Sequence, residues 1–213
     1  MLAVAAIVCG VGTFLGVIVN ATETYLGRRE SGQRKGKLRM VMGLFFSEFG
    51  TAFLTRLSQC DPTLNEISQE LRIDARWSNR EFSRAKKALK NYSGKTDITE
   101  IDLQELRANL KEKSDPFLRL FENPNLPEHE SFAELQRAIL HLKEESVHRQ
   151  EFTSLPASDR AYLAGDIGRV YESLLPEWLD YIRYLRENYP YLFSLALRLN
   201  PFDRQASPVV RPA

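Results

Sequence analysis

The chain has 213 residues, which is enough for one domain of ordinary size and an appendage. Its composition, with 43% hydrophobic and 27% charged residues, is that of a folded protein and excludes a largely disordered one. Residues 1–60 hold seven basic and three acidic residues and carry a net charge of +4, which leaves −3 for residues 61–213 and argues against a non-specific nucleic-acid binder.

An apolar segment without any charge, residues 2–19, opens the chain. A helix rises about 1.5 Å per residue, so about 20 residues cross the roughly 30 Å hydrocarbon core of a bilayer. The segment therefore predicts a transmembrane anchor over residues 1–27. The alternative is a cleaved signal peptide, because small residues around Asn20 suit a cleavage site. No positive charge precedes the apolar core, which favours the anchor.

A run of basic residues follows the apolar segment directly. The positive-inside rule places such a run in the cytoplasm, so the sequence predicts a single-pass protein with its N-terminus outside and its C-terminal domain cytoplasmic. Each of these charges contributes about 1 kcal/mol near an anionic lipid surface, so we expect contact with the bilayer and its anionic lipid. The alternative is that the run only fixes topology. It consists of Arg28, Arg29, Arg34, Lys35, Lys37 and Arg39.

Gly12 and Gly16 form a GxxxG pattern inside the apolar segment. Small residues four apart let two membrane helices approach closely, which predicts a homo-oligomer formed through this helix face. The alternative is that glycine is simply frequent in membrane helices.

Residues 39–56 form a phenylalanine-rich stretch that resembles a second membrane span. On a helical wheel, however, Ser47, Glu48, Thr51 and Thr55 share one arc and apolar residues fill the other, which predicts an amphipathic helix. The interval is short for a span, and a carboxylate at its centre costs roughly 2.5–3.5 kcal/mol on insertion scales. We expect residues 28–60 to form a polybasic loop and a helix that lies at the membrane interface or packs on the main domain. The alternative of a second span would place residues 61–213 outside the cell.

Residues 61–202 predict an all-α globular domain, a multi-helix bundle built from amphipathic helices with recognisable start signals. Residues 203–213 lack periodicity and predict a mobile tail. The first four predicted helices follow Asp61-Pro62, run from the capping box of Ser78 and Glu81 to about Asn91, cover the segment with Ile98, Ile101, Leu103, Leu106 and Leu110, and follow Asp115-Pro116. The fifth runs from the capping box of Ser131 and Glu134 to about Arg149. The sixth runs from Ser158 or Asp159 to about Asn188 with a kink at Pro176, and the last follows Tyr189-Pro190.

Glu145 and His148 form an ExxH pattern, with His141 four residues earlier on the same helix face. Helical-bundle enzymes with a di-metal carboxylate site use two such units plus two further glutamates. The chain has a single ExxH and three histidines, so the alternative is an ordinary solvated helix face. A metal site on His141, Glu145 and His148 stays the first alternative function.

Residues 64–82 resemble the opening of a helix-turn-helix, with Ile67, Leu71 and Ile73 in the apolar positions of its first helix. Arg72 stands where the turn usually has glycine. A membrane-tethered DNA-binding regulator is therefore the second alternative function, while helix packing explains the same residues.

Tyr184, Tyr189 and Tyr191 surround the break at Pro190 and predict a patch that faces a partner or the membrane. Cys9 and Cys60 are the two cysteines of the chain, which is no disulfide framework and fits a reducing compartment. The sequence contains no complete catalytic constellation and predicts no cofactor. It favours a membrane-anchored, cytoplasm-facing helical interaction or scaffold module, and it does not identify a protein partner.

Overall fold

The structure, a computed structural model, describes residue 36, residues 38–121 and residues 130–210, with the backbone alone for residues 114–121. Within these ranges the regular elements are helices and no strand occurs, so the predicted all-α globular fold is confirmed. None of the described helices is both long enough and apolar enough to cross a bilayer. The predicted anchor over residues 1–27 lies outside the described residues.

The described residues form six helices. The first, α1, spans residues 38–59 and contains one wider π-helical turn, Phe46–Gly50, before its last part, Thr51–Gln59. A short 3₁₀ turn, Leu64–Glu66, follows it. The other helices are α2 (Asn79–Leu89), α3 (Leu103–Phe121), α4 (Glu130–His148), α5 (Ala157–Asn188) and α6 (Pro190–Arg198).

The capping box predicted at the start of α2 is present. The hydroxyl of Ser78 accepts a hydrogen bond from the backbone N–H of Arg80, and the backbone N–H of Ser78 donates to the Glu81 carboxylate at 2.7 Å. These bonds satisfy N–H groups that the first turn of a helix otherwise leaves unpaired. Local sequence therefore fixes where this helix begins.

The predicted helix after Asp61 is instead a series of turns. The Asp61 carboxylate accepts from the backbone N–H and the hydroxyl of Thr63, at 2.8 and 2.7 Å, which closes a tight turn. Leu64, Ile67 and Leu71 are nevertheless buried, as their spacing predicts. Their apolar side chains thus reach the core from a segment that is not an α-helix.

The third and fourth predicted helices are one helix, α3. It begins at Leu103 rather than near Ile98, because the Asp102 carboxylate caps the backbone N–H groups of Gln104 and Glu105 at 3.0 and 2.9 Å. It then continues through Pro116, whose fixed φ is compatible with a helix although its missing N–H costs one hydrogen bond.

α5 is the central helix of the bundle and contacts α1, α2, α4 and α6. Its inner side holds some of the largest fully buried side chains, Tyr171 and Trp178 among them. It runs through Pro176 without a break in its helical assignment. α3 packs instead on α4 and on the π-helical turn of α1.

The phenylalanine-rich face of α1 lies in the protein core. Phe45, Phe46 and Phe49 are buried. Phe46 stacks on Tyr181 of α5 with ring centroids 5.1 Å apart, and Phe45 meets Phe132 of α4 edge to face at 6.1 Å. One continuous core therefore includes α1 together with the helices that follow it.

The polar arc of α1 faces outward as predicted. Ser47 and Glu48 are exposed, and the half-buried Thr55 donates its hydroxyl to the backbone carbonyl of Thr51 at 2.8 Å. The helix is thus amphipathic, and its apolar partner is the main domain.

The residues that follow α6 return to the core and pack against earlier parts of the chain. Buried Asn200 donates its side-chain N–H to the carbonyl of Leu71 at 2.9 Å, and Phe202 lies edge to face against Trp178 at 5.0 Å. Part of the predicted tail folds back as well, because the N–H of Ser207 donates to the carbonyl of Arg198 at 2.9 Å.

Candidate functional site

The outer side of α6 is apolar and exposed. Pro190 occupies the first helical position, where its missing N–H costs nothing, and Phe193 turns inward and is buried. On the other side, Tyr191 is 93% exposed and Leu192 52% exposed, and Leu195 and Leu199 continue the same stripe. We call these four outward residues the α6 stripe.

The α6 stripe is connected to the first turn of α1 through two tyrosines. The guanidinium of Arg39 lies 5.9 Å from the ring centroid of Tyr184, a cation–π contact. The Tyr184 ring lies 5.6 Å from that of Tyr189, which precedes α6 directly. A hydrogen bond with Tyr189 and partial burial raise the pKa of Tyr184. Two members of the predicted tyrosine patch, Tyr184 and Tyr189, therefore contact each other, and Tyr184 also contacts Arg39.

A pocket of about 210 Å³ lies beneath this contact, between the first turns of α1 and the last turns of α5. Of its three acidic residues, Asp180 is paired with Lys86 at 2.5 Å and with Arg183 at 3.1 Å, and Glu187 lies 3.8 Å from Arg186. The third, Glu177, accepts a hydrogen bond from the hydroxyl of Ser131 at 2.5 Å. Its walls thus combine charged groups already engaged in ion pairs with apolar side chains. The lining residues are Leu38, Arg39, Met42, Glu177, Asp180, Tyr181, Arg183, Tyr184 and Glu187.

The three predicted metal ligands have separate partners. His141 faces the Asp166 carboxylate at 3.5 Å, Glu145 forms an ion pair with Arg149 at 2.7 Å, and the Nδ1 atom of His148 lies 2.8 Å from the backbone carbonyl of Glu144. In the described part of the chain, no group of three or more His, Cys, Asp or Glu residues is placed to hold a metal ion. Shared helix spacing did not bring these groups to one point.

The neighbourhood of His141 contains a buried carboxylate that the sequence analysis missed. Asp166 is 1% exposed, pairs with Arg169 through one oxygen and has no hydrogen-bond partner for the other, which faces His141. The hydroxyl of Tyr162 lies 3.3 Å from the same imidazole nitrogen. The only sequence signal was an acidic residue next to the apolar stripe of α5 at Ile167.

A second buried polar cluster was also missed. Tyr92 donates its hydroxyl to the carboxylate of Asp61, which is 2% exposed. Burial, then the hydrogen bond to Asp61, raises the pKa of Tyr92, and burial raises the pKa of Tyr171 beside it. The local sequence predicts Asp61 only as a helix cap, because its partner Tyr92 lies 31 residues further along the chain.

The segment that resembles a helix-turn-helix has a different geometry. Only the three residues of the 3₁₀ turn, Leu64–Glu66, are helical where the motif has its first helix. Trp77 packs edge to face on Phe82 at 5.2 Å, between this turn region and α2. Burial in the core of the domain accounts for the apolar positions that suggest the motif, Ile67, Leu71 and Ile73.

The remaining predicted site residues divide by location. Arg39 is described and takes part in the surface above, whereas Arg28, Arg29, Arg34, Lys35 and Lys37 lie outside the described residues. Gly12 and Gly16, predicted to pair two membrane helices, lie outside them as well.

Comparison with known proteins identifies relatives of the whole helical domain. The family model described as "Uncharacterized protein MJ1433, C-terminal helical domain" matches residues 34–198. This chain belongs to that family. The relative from Methanocaldococcus jannaschii, "Uncharacterized protein MJ1433", is 42% identical over 184 residues, which cover 86% of this chain and 74% of that protein. No solved structure matches the chain.

The family's helical domain coincides with the helices described above. Its match begins four residues before Leu38, from which α1 is described without a gap, and ends at Arg198, the last residue of α6. α1 is therefore part of the region that the family shares, which agrees with its burial in the common core.

Proposed function

We propose that this chain is a single-pass membrane protein whose anchor, residues 1–27, holds the all-α domain at the cytoplasmic surface, where the domain serves as an interaction module. The observation that carries the proposal is that the polypeptide chain goes directly from the basic run into the hydrophobic core of the domain. Leu38 comes one residue after Lys37 and is only 6% exposed.

The short linker between the predicted anchor and the domain limits the distance of the domain from the bilayer. Glu23 is the first charged residue after the apolar segment, and 14 residues lie between it and Leu38. A fully extended chain spans at most about 3.6 Å per residue, so the linker reaches no more than about 50 Å. An anchored domain of this kind stays next to the membrane.

The α6 stripe supports the interaction part of the proposal. Contiguous exposed apolar surface on a folded domain marks a site of contact with a protein or a membrane. The lipid bilayer, including anionic lipid near the run from Arg28 to Arg39, is the first partner that the sequence chemistry provides. A protein partner of the module is not identified by these features.

The anchor itself provides a second partner, another copy of the chain. Close approach of two helices at Gly12 and Gly16 would form a homo-oligomer in the membrane. Replacing both glycines with leucine is expected to reduce cross-linked dimer of the full chain in vesicles, whereas unchanged dimer yield would remove this part of the proposal.

Topology is tested by thiol labelling in cells. A Cys9→Ser variant retains Cys60 as its single thiol, and a membrane-impermeant maleimide is applied to intact and to lysed cells. Burial, followed by the charge of Glu100, raises the pKa of Cys60, so a Lys87→Cys addition supplies a more exposed thiol in the same domain. We expect the chain in carbonate-washed membranes with labelling only after lysis. Labelling in intact cells would refute the cytoplasmic assignment, and a carbonate-soluble chain would refute the anchor.

A further inference from the structure

We infer that one end of the helical domain lies flat on the lipid bilayer. The surface concerned, which we call the membrane face, consists of Arg39, Met40, Tyr184, Tyr189, Tyr191 and Leu192. The inference rests on the proposed anchor and adds a defined orientation of the domain, with the start of α1 and the start of α6 toward the lipid.

The position of the chain entry supports this orientation. Leu38 and Arg39 at the beginning of α1 line the same pocket as Tyr181 and Tyr184 from the last turns of α5. The polypeptide that arrives from the basic run therefore enters the domain at the α6 end of the long helix. A short linker from a membrane anchor brings this end nearest to the bilayer.

The side chains of the membrane face have the chemistry of a bilayer interface. Tyrosine rings combine an apolar body with a polar hydroxyl and are enriched at the level of lipid headgroups. Tyr191 is 93% exposed and Tyr189 47% exposed, and Met40 beside Arg39 is 66% exposed. Large apolar groups of this kind are costly in water and favourable at an interface.

The charges at this end are compatible with a lipid surface. α6 carries no acidic residue, and Arg198 is its basic residue near the C-terminal end. The nearby carboxylate of Asp180 is paired with Lys86 and Arg183, and Glu187 lies 3.8 Å from Arg186. Glu177 in the same pocket is buried and accepts a hydrogen bond from Ser131. Since these acidic groups are engaged, the basic run that ends at Arg39 determines the charge presented to anionic headgroups.

The size of the apolar surface favours lipid over a second copy of the domain. A stable protein interface buries about 800 Å² per partner. A fully exposed tyrosine supplies at most about 250 Å², and apart from Tyr191 the apolar side chains of the membrane face are only partly exposed, Met40 at 66%, Leu192 at 52% and Tyr189 at 47%. A bilayer needs no matching surface, and the anchor would keep the face at high effective concentration next to it.

The test places a fluorescent probe on the membrane face. Tyr191→Trp is made in the full chain, which is reconstituted into vesicles of phosphatidylcholine and phosphatidylglycerol containing brominated phosphatidylcholine as quencher. The matched control is Tyr162→Trp, since Tyr162 is also an exposed tyrosine, at 48%, but lies near the other end of the 32-residue helix α5. That helix is about 48 Å long, so the two probes lie at different depths.

We expect bromine to quench the Y191W probe at least about twofold more than the Y162W probe, after subtraction of the wild-type signal from Trp77 and Trp178, because interfacial rings sit at headgroup level. Equal quenching of the two variants in a chain that resists carbonate extraction would overturn the inference while the anchor stands. Extraction of the chain by carbonate would instead overturn the proposed function. Cross-linking of a Tyr191→Cys variant to itself, with no difference in quenching, would assign the face to a second copy and also overturn the inference.

Discussion

Gly94 is a residue whose side chain is excluded by a neighbour. A Cβ atom there would lie 2.5 Å from Cε1 of buried Tyr171, whereas a Cβ at Gly168 would have nothing within 4 Å. Among the described residues no glycine has a positive φ, so the space around each site decides the outcome. We expect Gly94→Ala to reduce the free energy of unfolding by about 1–3 kcal/mol through overpacking.

Gly168→Ala is the matched comparison within α5. With free space and helical backbone, it should raise the free energy of unfolding by roughly 0.4–1 kcal/mol. Denaturant unfolding of both variants in detergent micelles measures the two effects. A neutral Gly94→Ala variant would contradict the packing described around Tyr171.

The Asp61–Tyr92 cluster predicts how stability depends on pH. Unfolded tyrosine has a pKa of about 10, and burial with the bond to Asp61 raises the pKa of Tyr92 in the folded state. Above about pH 10 the unfolded state therefore loses its proton first. The free energy of unfolding should be constant with respect to this group below about pH 9 and should fall as the pH rises further.

Tyr92→Phe tests this linkage. The variant should lose about 1–3 kcal/mol at neutral pH, because the buried carboxylate of Asp61 loses a donor, and its stability should decline less steeply above about pH 10. Tyr162→Phe, at an exposed tyrosine, should change stability by less than about 0.5 kcal/mol and keep the wild-type decline. An unchanged alkaline slope in Tyr92→Phe would count against the cluster. Melting temperatures measured across this pH range supply the data.

At the scale of an element, α1 shows how an apolar, phenylalanine-rich helix becomes part of the core of the helical domain. Phe46 is fully buried and stacks on Tyr181, whereas Leu44 on the same helix is 48% exposed. Phe46→Ala should cost about 3–5 kcal/mol, and Leu44→Ala less than about 1 kcal/mol. Circular dichroism melts of the two variants compare them. Similar losses for both would mean that α1 does not dock through this face.

A helix begins close to the position that its local sequence predicts where the capping side chain bonds to the N–H groups of the first turn. Ser78 and Glu81 fixed the start of α2 as predicted, and Asp102 set the start of α3 a few residues later than its apolar pattern suggested. Asp61 had the same local signal, yet its carboxylate bonds to Thr63 and Tyr92 within a turn. A cap residue shows where a helix can begin, and competing long-range partners decide whether it does.

At the scale of the whole molecule, the segment after α6 contributes buried side chains to the core. A chain that ends at residue 199 lacks the Asn200 bond to Leu71 and the Phe202 contact with Trp178. It should lose at least about 3 kcal/mol, since removal of a buried phenylalanine alone costs that much. A chain that ends at residue 208 keeps these contacts and should lie within about 0.5 kcal/mol of the full chain.

Both truncations are expected to unfold in one transition because a single core joins α1 to residue 202. Coincident melts by far-ultraviolet circular dichroism and by tryptophan fluorescence would agree with this. A separate early transition in the chain that ends at residue 208 would contradict it.

The sequence by itself determined the helical class, the long helix α5 and the division of α1 into an apolar and a polar arc. These features depend on periods of three and four residues and on caps, which act between near neighbours. It also determined that the phenylalanines of residues 39–56 needed an apolar environment. Only the tertiary structure decided that this environment is Tyr181 and Phe132, and that His141 faces the buried carboxylate of Asp166 on α5. The hydrophobic effect has no direction, so a pattern specifies that a face is buried, while packing against distant elements selects its partner.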